Sequence, residues 1–191
     1  RGATKRASTH LGRMHALWTL DGLGGMDWKT GSEAASDSHE HVRATAIRTL
    51  EPMLTEDREE EFLDLVTERW LANDGDLVML QCLLSLGHLP ADSDEALQMI
   101  SVILNTRPTP LFSVAALSSL GGRELEFLTH LFDDAEIPKI PTLLPDLARL
   151  VATEGKSDRI EELLAMSTET EAWANLIADA IIASRPAGKP I

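Results

Sequence analysis

The chain has 191 residues and a formal net charge of −14, and it is long enough to form one domain with a sizeable core. Its acidic character excludes nucleic acid as a partner, and it has no apolar run of the roughly 18 residues needed for membrane insertion. The chain starts at Arg1 without an initiator Met or a signal peptide. We therefore expect residues 1–191 to be a single repeat domain cut from a larger protein.

The charge is unevenly distributed along the chain. Residues 1–30 hold five basic and two acidic side chains, whereas residues 31–191 hold twelve basic and twenty-nine acidic ones. A basic start on an acidic body indicates a junction with a preceding domain.

Apolar residues recur at helical spacing through most of the chain, and strand signals are almost absent. The pattern therefore predicts an all-α fold of long inner helices alternating with amphipathic partner helices. We expect inner helices at about 9–22, 39–54, 76–88, 109–121 and 141–153, partner helices at about 57–72, 93–105, 123–134 and 158–166, and a last helix at about 170–184.

One stretch breaks this alternation. Residues 22–38 are rich in Gly, Ser and Ala where a partner helix would otherwise stand. We expect an irregular loop over 22–38, with a short helix near residues 33–35 as the alternative.

Four inner helices share a five-residue pattern: small, aliphatic, variable, hydroxyl, leucine. The final leucines lie 30, 36 and 34 residues apart, a period typical of helical repeats that stack to bury a common core. The small residue and the final leucine of each copy are predicted to be buried. These positions are Ala16, Leu20, Ala46, Leu50, Cys82, Leu86, Ala116 and Leu120.

The single cysteine, Cys82, occupies the small-residue position of the third copy. A lone cysteine excludes a disulfide within the chain and a thiolate metal site. We interpret Cys82 as a buried packing thiol and not as a nucleophile.

The repeated pattern resembles HEAT repeats, which are pairs of antiparallel helices. Asp37 and Arg43 match the Asp of the HEAT turn and the Arg early in the inner helix, and Arg13 falls in the same Arg column. Met79 and Ser113 replace that Arg in the third and fourth copies. A continuous ladder of Asp–Arg pairs through every repeat is therefore not expected. The resemblance implies an α-solenoid of about five HEAT-like helix pairs.

A second resemblance covers twelve residues, Arg13 to Gly24. This string is similar to the opening of the HEAT segment in large exported bacterial proteins classed as membrane-bound dehydrogenases. That family carries a propeller domain similar to quinone-dependent sugar dehydrogenases and a C-terminal haem c domain with a Cys-x-x-Cys-His motif. The resemblance therefore implies a periplasmic or exported parent that holds haem c and a quinone cofactor outside this segment.

Taken together, these features predict a non-catalytic scaffold or docking module whose partners are flanking domains of the same chain or another protein. Two alternatives are an independent protein-protein interaction module and a repeat segment that contributes to a dehydrogenase active site. Trp18 occupies the variable pattern position and is not required by the repeat core. We expect contact with a neighbouring domain at His15, Trp18 and Trp28.

The sequence indicates no catalytic, cofactor-binding or metal-binding residues, because no acid–base or nucleophile pair stands in a recognisable context. His39 and His41 would be the first ligands to consider if a metal were bound. Residues two apart do not share a helix face, so we predict no metal site.

Overall fold

The computed structural model describes residues 9–133, 143–166 and 171–184. Within these ranges all regular structure is helical, which confirms the predicted all-α class. The eleven α-helices of the described residues are α1 His10–Gly22, α2 Trp28–Ala34, α3 Glu40–Leu50, α4 Glu59–Leu71, α5 Asp76–Leu86, α6 Asp94–Thr106, α7 Pro110–Leu120, α8 Glu124–Asp133, α9 Leu144–Glu154, α10 Ser157–Met166 and α11 Glu171–Ser184.

Two helix boundaries differ from the predicted ones: α3 ends earlier than expected, and α4 begins later than expected. Helix α3 stops at Leu50, and Glu51–Met53 forms a 3-10 turn, because Pro52 has no backbone N–H for a further α-helical hydrogen bond. Glu56–Arg58 forms a second 3-10 turn before α4. Helix α9 is described from Leu144 onward, and residues 141 and 142 of its predicted range lie outside the described residues.

The stretch 22–38, expected to be an irregular loop, contains the seven-residue helix α2. Asp27 caps this helix, and its Oδ1 accepts a hydrogen bond from the Thr30 amide at 2.8 Å. Gly31 lets α2 approach α3 closely, because a Cβ at residue 31 would overlap Cδ2 of Leu50 and lie 2.9 Å from its Cγ. The helix therefore depends on a tertiary contact that local sequence patterns do not show.

The described chain divides into two compact units, Arg1–Ile103 and Leu104–Ile191. In the first unit, α1 packs against α3 and α3 packs against α5, so the three inner helices lie side by side. Helix α2 packs against α3, and α4 packs against α5. The largest buried side chains of this unit are Leu17, Ile47, Leu50, Phe62, Met79, Leu83, Leu86, Ile100 and Ile103.

In the second unit, α8 packs against α7 and α9, and α9 also packs against α10 and α11. Helices α7 and α9 end at Gly121 and Gly155, which adopt the left-handed conformation that favours glycine. Arg159 of α10 holds Glu126 of α8 with two nitrogens at 2.6 and 3.0 Å. It also donates to the Gly122 carbonyl oxygen at 3.1 Å, so one side chain joins α10 to the start of α8.

The structure buries most of the small-residue and leucine positions of the repeated pattern. Ala16 and Leu20 of the first copy are only half-buried. Among the described inner helices, α1 packs against α3 alone, whereas α3 packs against both α1 and α5. Fewer neighbouring residues therefore cover the first copy of the pattern. The six buried positions are Ala46, Leu50, Cys82, Leu86, Ala116 and Leu120.

Candidate interaction face and its polar supports

Two arginine–aspartate pairs connect the inner helices of the first unit. Arg13 of α1 donates from Nε to Asp37 Oδ2 at 2.7 Å and from a terminal nitrogen to Oδ1 at 2.8 Å. Arg43 of α3 donates from Nε to Asp74 Oδ2 at 2.9 Å. Each arginine therefore reaches the turn before the next inner helix, and bidentate pairing holds that turn in a defined orientation.

The next position in the arginine column ends this series within the first unit. Met79 of α5 stands there, fully buried in the apolar core. The resemblance to HEAT repeats singled out Asp37 but not Asp74. The available signal was that both aspartates lie in turns, five to six residues before the arginine column.

The electrostatics of both pairs favour ionised aspartates. Burial opposes ionisation of Asp37, but hydrogen bonds from Arg13 and from the His39 amide outweigh it and lower its pKa. At Asp74, burial is likewise outweighed by Arg43 and by the Gly75 amide, so its pKa is also lowered. Both carboxylates therefore carry charge at neutral pH and act as fixed acceptors.

A buried carboxylate joins the end of α3 to α5. Glu51 is 5% exposed, and its Oε1 accepts from Ser85 Oγ at 2.7 Å and from Gln81 Nε2 at 3.0 Å. Its Oε2 pairs with Arg48 and lies 3.2 Å from His88 Nε2. Two hydrogen bonds to Oε1 and the neighbouring Arg48 and His88 at Oε2 offset part of the cost of burying this carboxyl group.

The hydroxyl position of the repeated pattern now has a physical explanation. Thr49 and Ser119 are buried, and each donates its hydroxyl to a carbonyl oxygen three residues earlier at 2.8 Å. Ser85 occupies the same position but bonds Glu51 of the neighbouring helix. The hydroxyl can thus be buried with a partner in its own helix or at the end of the preceding inner helix.

Exposed apolar side chains lie on α1 and α5, the two helices that pack on either side of α3. Trp18 is 49% exposed and Leu84 is 38% exposed, and they occupy the variable pattern position of their helices. Leu11 and Leu77, seven residues earlier on the same helices, are 56% and 37% exposed. The inner face is defined here by the exposed residues Leu11, His15, Trp18, His41, Arg48, Leu77 and Leu84.

The structure brings together two of the three residues expected at a domain contact. The His15 ring meets the Trp18 ring edge-on, with centroids 5.5 Å apart. Trp28 instead lies on α2, is half-buried, and has the Arg58 guanidinium 5.4 Å from its ring centroid. Trp28 is therefore engaged within the first unit and is not one of the inner-face residues.

The histidines group in a way that sequence spacing did not indicate. His10 stacks on His39, with ring centroids 3.9 Å apart and planes 5° from parallel, and His41 lies 5.4 Å from His39. The sequence spacing did not indicate that His10 lies beside His39 and His41. In the part of the chain that the structure describes, no three metal-ligating side chains are placed to hold an ion.

Cys82 has the environment of a packing residue. It is completely buried, and burial raises the pKa of its thiol to about 12. The thiol is therefore protonated at neutral pH and lacks the thiolate needed for nucleophilic chemistry.

The chain matches no protein-family model, no curated protein and no solved structure. Among the described helices, none combines the length and the hydrophobicity needed to cross a bilayer. The functional conclusion therefore rests on the residues and their geometry.

Proposed function

We propose that this chain is a non-catalytic helical-repeat scaffold that docks a protein domain on its inner face. The observation that carries the proposal is the exposure of Leu11 and Trp18 on α1 and of Leu77 and Leu84 on α5, the two helices that pack on either side of α3. Exposed apolar side chains favour protein contact, and tryptophan is enriched among the residues that dominate binding energy.

The rigidity of the supporting helices favours this role. The two arginine–aspartate pairs and the Glu51 network connect each inner helix to the next and hold the face in one arrangement. A preorganised face loses little conformational entropy on binding. The same side-by-side packing of α1, α3 and α5 supports the finer proposal that HEAT-like pairs stack as a solenoid.

The occupant that we propose is a flanking domain of the same parent protein. In this proposal the parent is an exported haem c protein of the dehydrogenase type, and the scaffold separates its propeller from its haem domain. The support is the string from Arg13 to Gly24, because Trp18 and His15 within it are exposed and in mutual contact.

The test starts from the full-length coding sequence. The segments on either side of this chain are produced separately, and their binding to it is measured by titration calorimetry. We expect Trp18→Ser combined with Leu84→Ser to weaken binding at least about tenfold, since a hot-spot truncation commonly costs 2 kcal/mol or more.

Leu71→Ser is the matched control, because Leu71 is 70% exposed at the end of α4 and outside the inner face. Equal binding by both variants would refute the inner face as the docking surface. A parent that lacks both the propeller and the Cys-x-x-Cys-His motif would refute the haem c assignment while leaving the scaffold role intact.

A further inference from the structure

Three histidine side chains meet at the contact between the start of α1 and the start of α3. His10 is the first residue of α1, and His39 is the N-cap residue of α3. Their rings are half-buried, parallel and 3.9 Å apart, and His41 adds a third imidazole beside them. This packing brings three histidine rings into one contact, and histidine is the side chain that most readily changes charge near neutral pH.

We propose that His10, His39 and His41 form a pH-sensitive clasp that holds α1 on α3 at neutral pH and releases it on acidification. Neutral imidazoles stack without electrostatic cost. Two imidazolium rings at the same separation repel each other, and the repulsion is relieved when the helices part.

The surroundings disfavour charge on the clasp. Both helices begin here, so the positive ends of two helix dipoles point towards the rings. The charged groups that face His39 in the described residues are Arg13 of α1, which opposes its protonation, and Glu40 of α3, which favours it. Partial burial, followed by His10 and His41, lowers the pKa of His39, and these effects outweigh Glu40.

The nearest acid on the connecting turn does not compensate for charge on the rings. Asp37 is two residues before His39, but both of its oxygens are bonded to Arg13. Its Oδ1 also accepts from the His39 amide at 2.8 Å, so this carboxylate fixes the backbone of the clasp.

The direction of the pH effect follows from linkage. His39 binds its proton more weakly in the closed state than at the ordinary value of 6.5. The clasp is therefore fully stabilising when the pH is above the ordinary histidine pKa of 6.5. It weakens as the pH falls through the lowered pKa that His39 has in the closed state. Each histidine that gains its proton only on opening raises the opening constant by up to about tenfold per pH unit.

The test is amide hydrogen exchange of the full chain at pH 7.5 and pH 5.5, corrected for intrinsic rates and read separately in α1 and α5. We expect the opening constant of α1 to rise at least about threefold on acidification relative to that of α5, and we expect His10→Asn to abolish this difference. His15→Asn is the matched control, because His15 lies on the same helix but outside the clasp.

A second readout covers the case in which His10→Asn does not fold. The imidazole resonances of the unmodified chain are titrated by NMR, and the clasp predicts that His39 titrates below an ordinary histidine. An ordinary His39 titration, or the same acid-induced opening in His10→Asn and wild type, would overturn the proposal.

Discussion

Arg43 of α3 binds two successive turns of the chain at once. Its Nε bonds Asp74 Oδ2 at 2.9 Å in the turn before α5, and a terminal nitrogen bonds the Asp37 carbonyl oxygen at 2.8 Å in the turn before α3. The Arg43 and Asp74 side chains are 16% and 6% exposed, so the pair is largely shielded from water. One guanidinium therefore sets the position of α3 relative to both of its connecting turns.

Removing the charge of Asp74 is expected to destabilise the first unit. Asp74→Asn leaves Arg43 largely buried without its ionic partner, and we expect a loss of about 2–3 kcal/mol in the free energy of unfolding. Urea denaturation at pH 7 measures this change in the free energy of unfolding. The control is Glu61→Gln, which breaks the exposed Arg58–Glu61 pair and is expected to cost less than about 1 kcal/mol. Equal losses in the two variants would contradict the structural role of the Arg43–Asp74 pair.

Stability is expected to fall in acid because of the two ladder aspartates. The folded-state pKa values of Asp37 and Asp74 lie below the ordinary value of 3.8. Their contribution is therefore present above about pH 4 and is lost as the pH falls through the lowered folded values. Urea midpoints measured between pH 4.5 and pH 2.5 should decline in the wild type and decline less in Asp37→Asn/Asp74→Asn. An equal decline of the urea midpoint in the two proteins would show that these two carboxylates are not responsible for the loss of stability in acid.

Close packing of α2 on α3 is expected to make Gly31 sensitive to substitution. Gly31→Ala places a methyl group against the Leu50 side chain, and overpacking of this kind costs about 1–3 kcal/mol. The loss should shrink in a Leu50→Ala background, where the obstructing atoms are absent. Gly22→Ala is the control, since no atom lies within 4 Å of a Cβ there. A neutral Gly31→Ala would contradict the close approach of the two helices.

The two leucines of one pattern copy are expected to respond differently to truncation. Leu86 is fully buried, so Leu86→Ala should cost about 2–5 kcal/mol. Leu84, on the same helix, is 38% exposed on the inner face, and its truncation should cost less than about 1 kcal/mol. Chemical denaturation of both variants measures the difference. Similar losses would show that the pattern register is misassigned.

Local periodicity was sufficient to predict the long helices. The spacing of apolar residues in α6 and α8 repeats within one or two turns, so it is visible without knowledge of the partner helix. The burial of Cys82 and Leu86 followed from the repeated five-residue pattern. Helix α2 was anticipated only as the alternative of a short helix near residues 33–35, because its glycine is favourable only where it meets Leu50 of another helix.

The contacts that define the candidate sites were decided by tertiary structure. Arg43 and Asp74 are 31 residues apart, and the chain between His10 and His39 holds the rest of α1, the whole of α2 and the two turns that flank α2. Sequence patterns identify residue types at each position, but the packing of α1 on α3 and of α3 on α5 determines which side chains touch. The chain by itself determined most of its helices, since these depend on neighbours within a few residues. Only the packed structure determined that Trp18 stays exposed while Trp28 does not, because exposure depends on what the rest of the fold covers.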